Sequence, residues 1–160
     1  MKRRTFDIMV SSVGFGFAIL LFIFAGLLNY GASFANDNVQ TQLENQNIAF
    51  PAEEGLPANT KSELVKWAGM QVTNGEMAKA YSDLYILEHM NASATAIMGK
   101  PATYSEVSGA YMGLVRGGST DTEKIAKLGE LRQTLFMGNT LRGMLLQAYA
   151  FGIFGVVAGY

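Results

Sequence analysis

The feature that most constrains this chain lies near its start, where Ile8 to Asn36 contains no charged residue. Its first part, Ile8 to Leu28, reads IMVSSVGFGFAILLFIFAGLL. Crossing the roughly 30 Å hydrocarbon layer of a bilayer takes about 20 mostly apolar residues in a helix, since every backbone N–H and C=O must be satisfied internally there. The stretch meets both conditions and predicts a transmembrane helix over residues 8–30. Lys2, Arg3 and Arg4 precede it and Tyr30 closes it. Basic residues are retained in the cytoplasm and aromatic rings collect at the interface, so residues 1–7 are expected inside and the chain after residue 30 outside. A cleaved signal peptide is the competing reading, because Ser33-Phe34-Ala35 offers small residues for a signal peptidase. The apolar part of a signal peptide runs only about 7–15 residues, which favours an uncleaved anchor here.

A second charge-free run extends from Gly143 to Tyr160. Taken as residues 140–160 it gives about 31 Å of helix at about 1.5 Å per residue, enough to span. It holds Gln147 and the glycines Gly143, Gly152, Gly155 and Gly159, which insert poorly compared with Leu or Phe, so its place in lipid would depend on neighbouring helices. A buried C-terminal helix is the other reading of the same run. As a span, it would let Arg142 snorkel to the outer interface and would bring the chain back to the cytoplasm at Tyr160.

Between these runs, residues 37–142 carry 9 basic and 12 acidic residues, nearly all the charge of the protein. Thr60…Glu63, Thr73…Glu76, Thr103…Glu106 and Thr120…Glu123 each match the capping box, in which a Thr hydroxyl and a Glu carboxylate satisfy otherwise unpaired N–H groups at a helix start. Four helices are predicted. Gly69 to Gly75, Gly99-Lys100-Pro101 and Gly117-Gly118 supply the stops. The longest helix is expected from Glu76 to Met98, with Met77, Ala80, Tyr81, Leu84, Tyr85 and Glu88 on one stripe. Asn36 to Gln46 extends the first span into water, and Pro51 and Pro57 force a loop. Gly138-Asn139 pairs a stop with a new cap and predicts a break before the second span. The fold class is therefore an all-α membrane protein of the plasma membrane. Two transmembrane helices, 8–30 and 140–160, flank a helical extracytoplasmic domain, 31–139, and both termini are cytoplasmic.

Composition excludes several kinds of chemistry. Net charge is −1, with 12 Lys plus Arg against 13 Asp plus Glu, which leaves no polybasic surface for nucleic acid. Cysteine is absent and histidine occurs once, so disulfides, thiolate zinc sites, iron–sulfur clusters and bis-histidine haem are out of reach. That histidine, His89, has no second His and no carboxylate at i+3 or i+4 to complete a metal site, and no nucleophile motif accompanies it. A surface or interface histidine is the plain reading. Asn91-Ala92-Ser93 matches the glycosylation triplet but falls inside a predicted helix. Trp67 and the tyrosines at 81, 85, 104 and 111 are assigned to core or membrane interface.

The most informative pattern is a row of small residues, Ala148, Gly152, Gly155 and Gly159, at i, i+4, i+7 and i+11 of the second run. Small side chains let helix backbones approach closely, the usual basis of association where lipid supplies no hydrophobic drive. Ser12 and Gly16 repeat the pattern weakly in the first span. The two spans could pack on each other, or these faces could contact other membrane proteins. Neither run contains a charged residue or a histidine, which argues against a proton relay or a haem site within them.

RRTFD before the first span, FANDNVQTQLENQNIAFPA after it, YSDLYILEHM in the middle and LFMGNTLRGMLLQAYAFG near the end give the chain a family likeness. It resembles supernumerary subunits, of the CtaI/CtaJ type, of the cytochrome c oxidase in the actinobacterial respiratory supercomplex. The resemblance implies a structural role beside the oxidase (complex IV) and the cytochrome bcc complex (complex III), with membrane lipids as further partners. Haems and copper would belong to the partner subunits, and no cofactor to this chain. A ring-opening dioxygenase label carried by such relatives would require two histidines and a carboxylate on iron, and one histidine cannot supply them. Three expectations follow: a non-catalytic accessory subunit, a membrane-anchored extracytoplasmic binding or scaffold domain, and a hydrolase using His89.

Overall fold

The structure is a computed structural model that describes residues 3–159, with side chains as far as Val157. Lys2 and Tyr160, which figure in the expected topology, lie outside the described residues. Two long helices frame the molecule. Helix α1 runs unbroken from Arg3 to Gln46, and α6 from Thr122 to Gly159. Both are long and apolar enough to cross a membrane. Between them come α2 (Lys61–Leu64), α3 (Gly75–Ala80), a π-helical turn (Tyr81–Ile86), α4 (Leu87–Met98) and α5 (Tyr104–Arg116). α3, the π turn and α4 form one continuous rod over the expected Glu76–Met98 helix.

All four expected helix starts are used, but only one by the expected chemistry. Thr103 accepts from the Glu106 N–H, and the Glu106 carboxylate accepts from the Thr103 N–H at 2.7 Å, a complete capping box. Before α3 the cap is Asn74, whose Oδ1 accepts from Met77 N–H at 3.0 Å. Before α6 it is Asp121, which accepts from Lys124 N–H at 3.0 Å. Thr60 heads α2 but turns its hydroxyl away, donating to the Leu84 carbonyl at 2.8 Å. At the far end of α1, Asn47 takes φ +51°, the left-handed conformation Asn tolerates, and turns the chain out. Residues 48–51 then run antiparallel to 69–72, with Phe50 N–H donating to Met70 O at 2.9 Å and Val72 N–H to Ile48 O at 2.8 Å.

Two apolar clusters fill the head. One gathers Leu43 of α1, Leu145 of α6, and Phe50, Leu64, Val72 and Met77 from the segments between. Phe50 stacks on Trp67 at 5.7 Å and meets the edge of Tyr81 at 5.1 Å, which places both of these aromatics in the core. The other packs Met90 and Ala94 of α4 and Val107 of α5 against Leu128, Leu131 and Leu135 of α6. α6 is thus the spine of the head: α1, α3, the π turn, α4 and α5 all lean on it.

The expected break at Gly138-Asn139 does not occur, since α6 passes through it. Gly138 serves a close approach instead: a Cβ there would sit 2.5 Å from the Met90 sulfur. Residues 31–139 and 140–160 are accordingly joined by one helix, with no boundary in it.

Candidate functional site

The register of α1 against α6 decides what each apolar run can touch. A Cβ on Gly155 would lie 2.6 Å from Asn36 Oδ1, and Val39 and Leu43 pack in one cluster with Ala148 and Leu145. The helices are antiparallel, so at about 1.5 Å per residue Gly143 lies about level with Ile48 and Gly159 about level with Ala32. The second charge-free run therefore stands beside the polar extension of α1, and the two apolar runs are not side by side. From Arg3 to Gly31 every residue of α1 is exposed except the half-buried Ala18. Phe22 is 80% exposed, against 3% for Leu145.

The small-residue face is occupied from within. A Cβ on Gly75, at the start of α3, would come 3.0 Å from the Tyr149 Cα and 3.4 Å from the Ala148 carbonyl oxygen. One on Gly152 would lie 3.6 Å from the Gly75 Cα. Ala148, Gly152 and Gly155 thus seat α3 and α1 against α6, with Gly155 itself buried. Gly159 continues the row at the end of α6, and its surroundings lie outside the described residues. Gly75 is the partner glycine that sequence reasoning missed. Its signal was weak, because a glycine beside an N-cap reads as punctuation. Ser12 and Gly16 are exposed, and a Cβ on Gly16 would meet nothing within 4 Å.

Arg142 does not reach for an interface. Its Nη2 pairs with Asp83 Oδ1 at 3.2 Å, and its Nε donates to the Ser82 carbonyl at 3.1 Å. That carbonyl also accepts from Leu87 N–H, the i+5 bond of the π turn. Ser82 and Leu84, both within the π turn, accept side-chain donors at their carbonyls, from Arg142 and Thr60. Lys79 bonds the other Asp83 oxygen. Burial pushes the Asp83 carboxyl up, yet its bonds to Lys79 and Arg142 outweigh this and hold it below the usual carboxylate range. The cluster locks α6 to the π turn.

His89 is exposed and meets the Tyr85 ring edge-on at 4.6 Å. Among the described residues no group of three or more His, Cys, Asp or Glu side chains is placed to hold a metal. Tyr81 is half-buried and its phenol is pushed up by that burial. Tyr104 and Tyr111 lie on the second cluster, with the Arg132 guanidinium 5.8 Å and 5.4 Å from their rings.

Exposed apolar surface is prominent in two places. The bare helix over Ile8–Leu28 is one part. The other is a groove of about 390 Å³ between the α1 extension and α6, running from Phe34 and Phe151 to Ile48 and Leu141. No family model, no curated protein and no solved structure matches the chain.

Proposed function

We propose that the chain is a non-catalytic accessory subunit of a respiratory cytochrome c oxidase within a complex III–complex IV assembly, anchored in the plasma membrane by α1. The observation that carries this reading is the bare apolar helix, which its own head nowhere covers. An apolar helix that its own chain leaves bare must be covered by lipid or another subunit. The RRTFD, FANDNVQTQLENQNIAFPA and LFMGNTLRGMLLQAYAFG likeness points to the oxidase as the source of those subunits. Arg3 and Arg4 at the start of α1 favour a cytoplasmic N-terminus and an extracytoplasmic head.

In this reading α6 is a strut of the head. Its Gly143–Gly159 run leaves Met144, Phe151, Phe154 and Val157 largely exposed, which supports a second crossing beside lipid or a neighbouring subunit. Residues 140–160 remain the second candidate span expected from the sequence, in a helix long and apolar enough to cross. That run meets α1 at Asn36, Val39 and Leu43, so the two apolar runs are staggered along the helix axes. The second reading, a membrane-anchored extracytoplasmic binding or scaffold domain, is favoured by the head having cores of its own.

An epitope-tagged chain purified in mild detergent separates the two. Haem a, b and c bands with stoichiometric oxidase subunits in the eluate are the expected result. A colourless eluate holding this chain alone, from membranes whose oxidase survives the same detergent, overturns the accessory reading in favour of the anchored domain.

A further inference from the structure

A cavity of about 430 Å³ opens between α6 and the rod formed by the π turn and α4. Among the described residues no Asp, Glu, Lys or Arg lines it, and it gathers the chain's sole histidine with two of its nine methionines: His89, Met90 and Met137. Their placement follows from one close contact. The Met90 thioether lies against Gly138, where a Cβ would come 2.5 Å from the sulfur. His89 adjoins Met90 on α4 and Met137 adjoins Gly138 on α6, so each backbone is about 3.8 Å from that contact. Met90 is 7% exposed and forms the floor, while His89 and the 54%-exposed Met137 stand at the rim on opposite walls. Tyr85 packs against the imidazole, with ring centroids 4.6 Å apart, and limits its rotation.

We propose that His89, Met90 and Met137 bind a soft monovalent metal ion, Cu(I), between α4 and α6. The donor set decides the metal. Thioethers are polarisable and uncharged, and together with an imidazole they suit Cu(I), whereas Ca²⁺, Mg²⁺ and Mn²⁺ require oxygen ligands and Zn²⁺ thiolates, carboxylates or several histidines. A set of neutral donors also holds one positive charge at a smaller desolvation cost than two. Cysteine is absent, so no thiolate of this chain competes for the ion. The unbranched Met137 side chain, with three rotatable bonds, can swing across the rim to His89. A buried methionine beside a glycine ordinarily serves packing, and Met90 does so in the second cluster, yet it lines the cavity as well. The site goes beyond the accessory-subunit reading and stands without it.

The test is titration of the full chain, purified in detergent, with Cu(I) under anaerobic reduction against bicinchoninate. A parallel titration with Ag(I) follows the methionine methyl and histidine ring resonances by NMR. One ion per chain is expected, shifting the Met90 and Met137 methyls and the His89 ring while the other methionines stay in place. His89→Ala and Met137→Leu, both at exposed positions, are each expected to weaken binding by about tenfold or more with helicity unchanged, since losing even a residue behind a ligand costs that much. Met90→Leu, which keeps the core filled, should weaken it likewise, and Met144→Leu, elsewhere on α6, should leave it unaltered. No uptake against bicinchoninate, uptake that survives both His89→Ala and Met137→Leu, or displacement of the ion by equimolar Zn²⁺ overturns the proposal. The accessory-subunit reading is tested separately, by the tagged purification.

Discussion

Ile8–Leu28 and Gly143–Gly159 are both charge-free and helical, both sit in helices long enough to cross a bilayer, and both expose most of their side chains, yet only the second is packed along one face. The first touches nothing of its own chain. The second lies against α1 and α3, through glycines that let backbones meet. Hydropathy reports transfer out of water and is blind to what receives the side chain, whether lipid or protein. Both runs hold glycines, but Gly14, Gly16 and Gly26 of the first meet nothing, while Gly152 and Gly155 of the second let α3 and α1 come close.

Core truncation breaks this comparison most strongly. Leu135, fully buried in the second cluster, changed to Ala should destabilise the head by about 2–5 kcal/mol. Phe22→Ala in the bare span should stay within about 0.5 kcal/mol, both read from denaturant melts of the full chain in detergent. Equal effects would mean that α1 is covered after all. Next come the glycines. Gly75→Leu must push against the α6 backbone and should cost about 1–3 kcal/mol, whereas Gly16→Leu meets open space and should cost the head nothing measurable.

The Asp83 cluster gives a smaller effect. Arg142→Ala should cost about 1–2 kcal/mol, low for a charged hydrogen bond because the pair is partly exposed. The Asp83 carboxyl is held low in the folded protein, so its contribution is present at neutral pH and is lost as pH falls below about 4. Asp83→Asn should remove that part of the acid sensitivity, which a melt series from pH 7 to pH 3 would show. The smallest effect separates the capping boxes: Thr103→Ala should cost about 1 kcal/mol, and Thr73→Ala less than about 0.5, since Asn74 caps α3.

Much of the fold was legible in the residues. Helix starts at 61, 75, 104 and 122, the stop at Gly99 with φ +74°, and the unbroken extension of α1 to Gln46 all follow from local chemistry. What escaped had one cause. Gly138 looked like a stop because glycine serves two purposes, and only the position of Met90, far away in sequence, shows which. Arg142 looked like a snorkelling residue because its partner, Asp83, lies on another helix. The groove was invisible for the same reason, since its two walls are about a hundred residues apart.

The sequence alone determined that the chain is helical, that Ile8–Leu28 suits hydrocarbon, and that one histidine and no cysteine leave little material for metal chemistry. These are properties of composition and of spacing within a few residues, which a local reading captures. Only the tertiary structure decided that the second apolar run meets α1 and α3 along one face, that its glycines seat them there, and that a charge-free groove opens between α1 and α6. Each depends on the antiparallel register of α1 and α6, which is set by contacts between residues distant in the chain, such as Asn36 with Gly155.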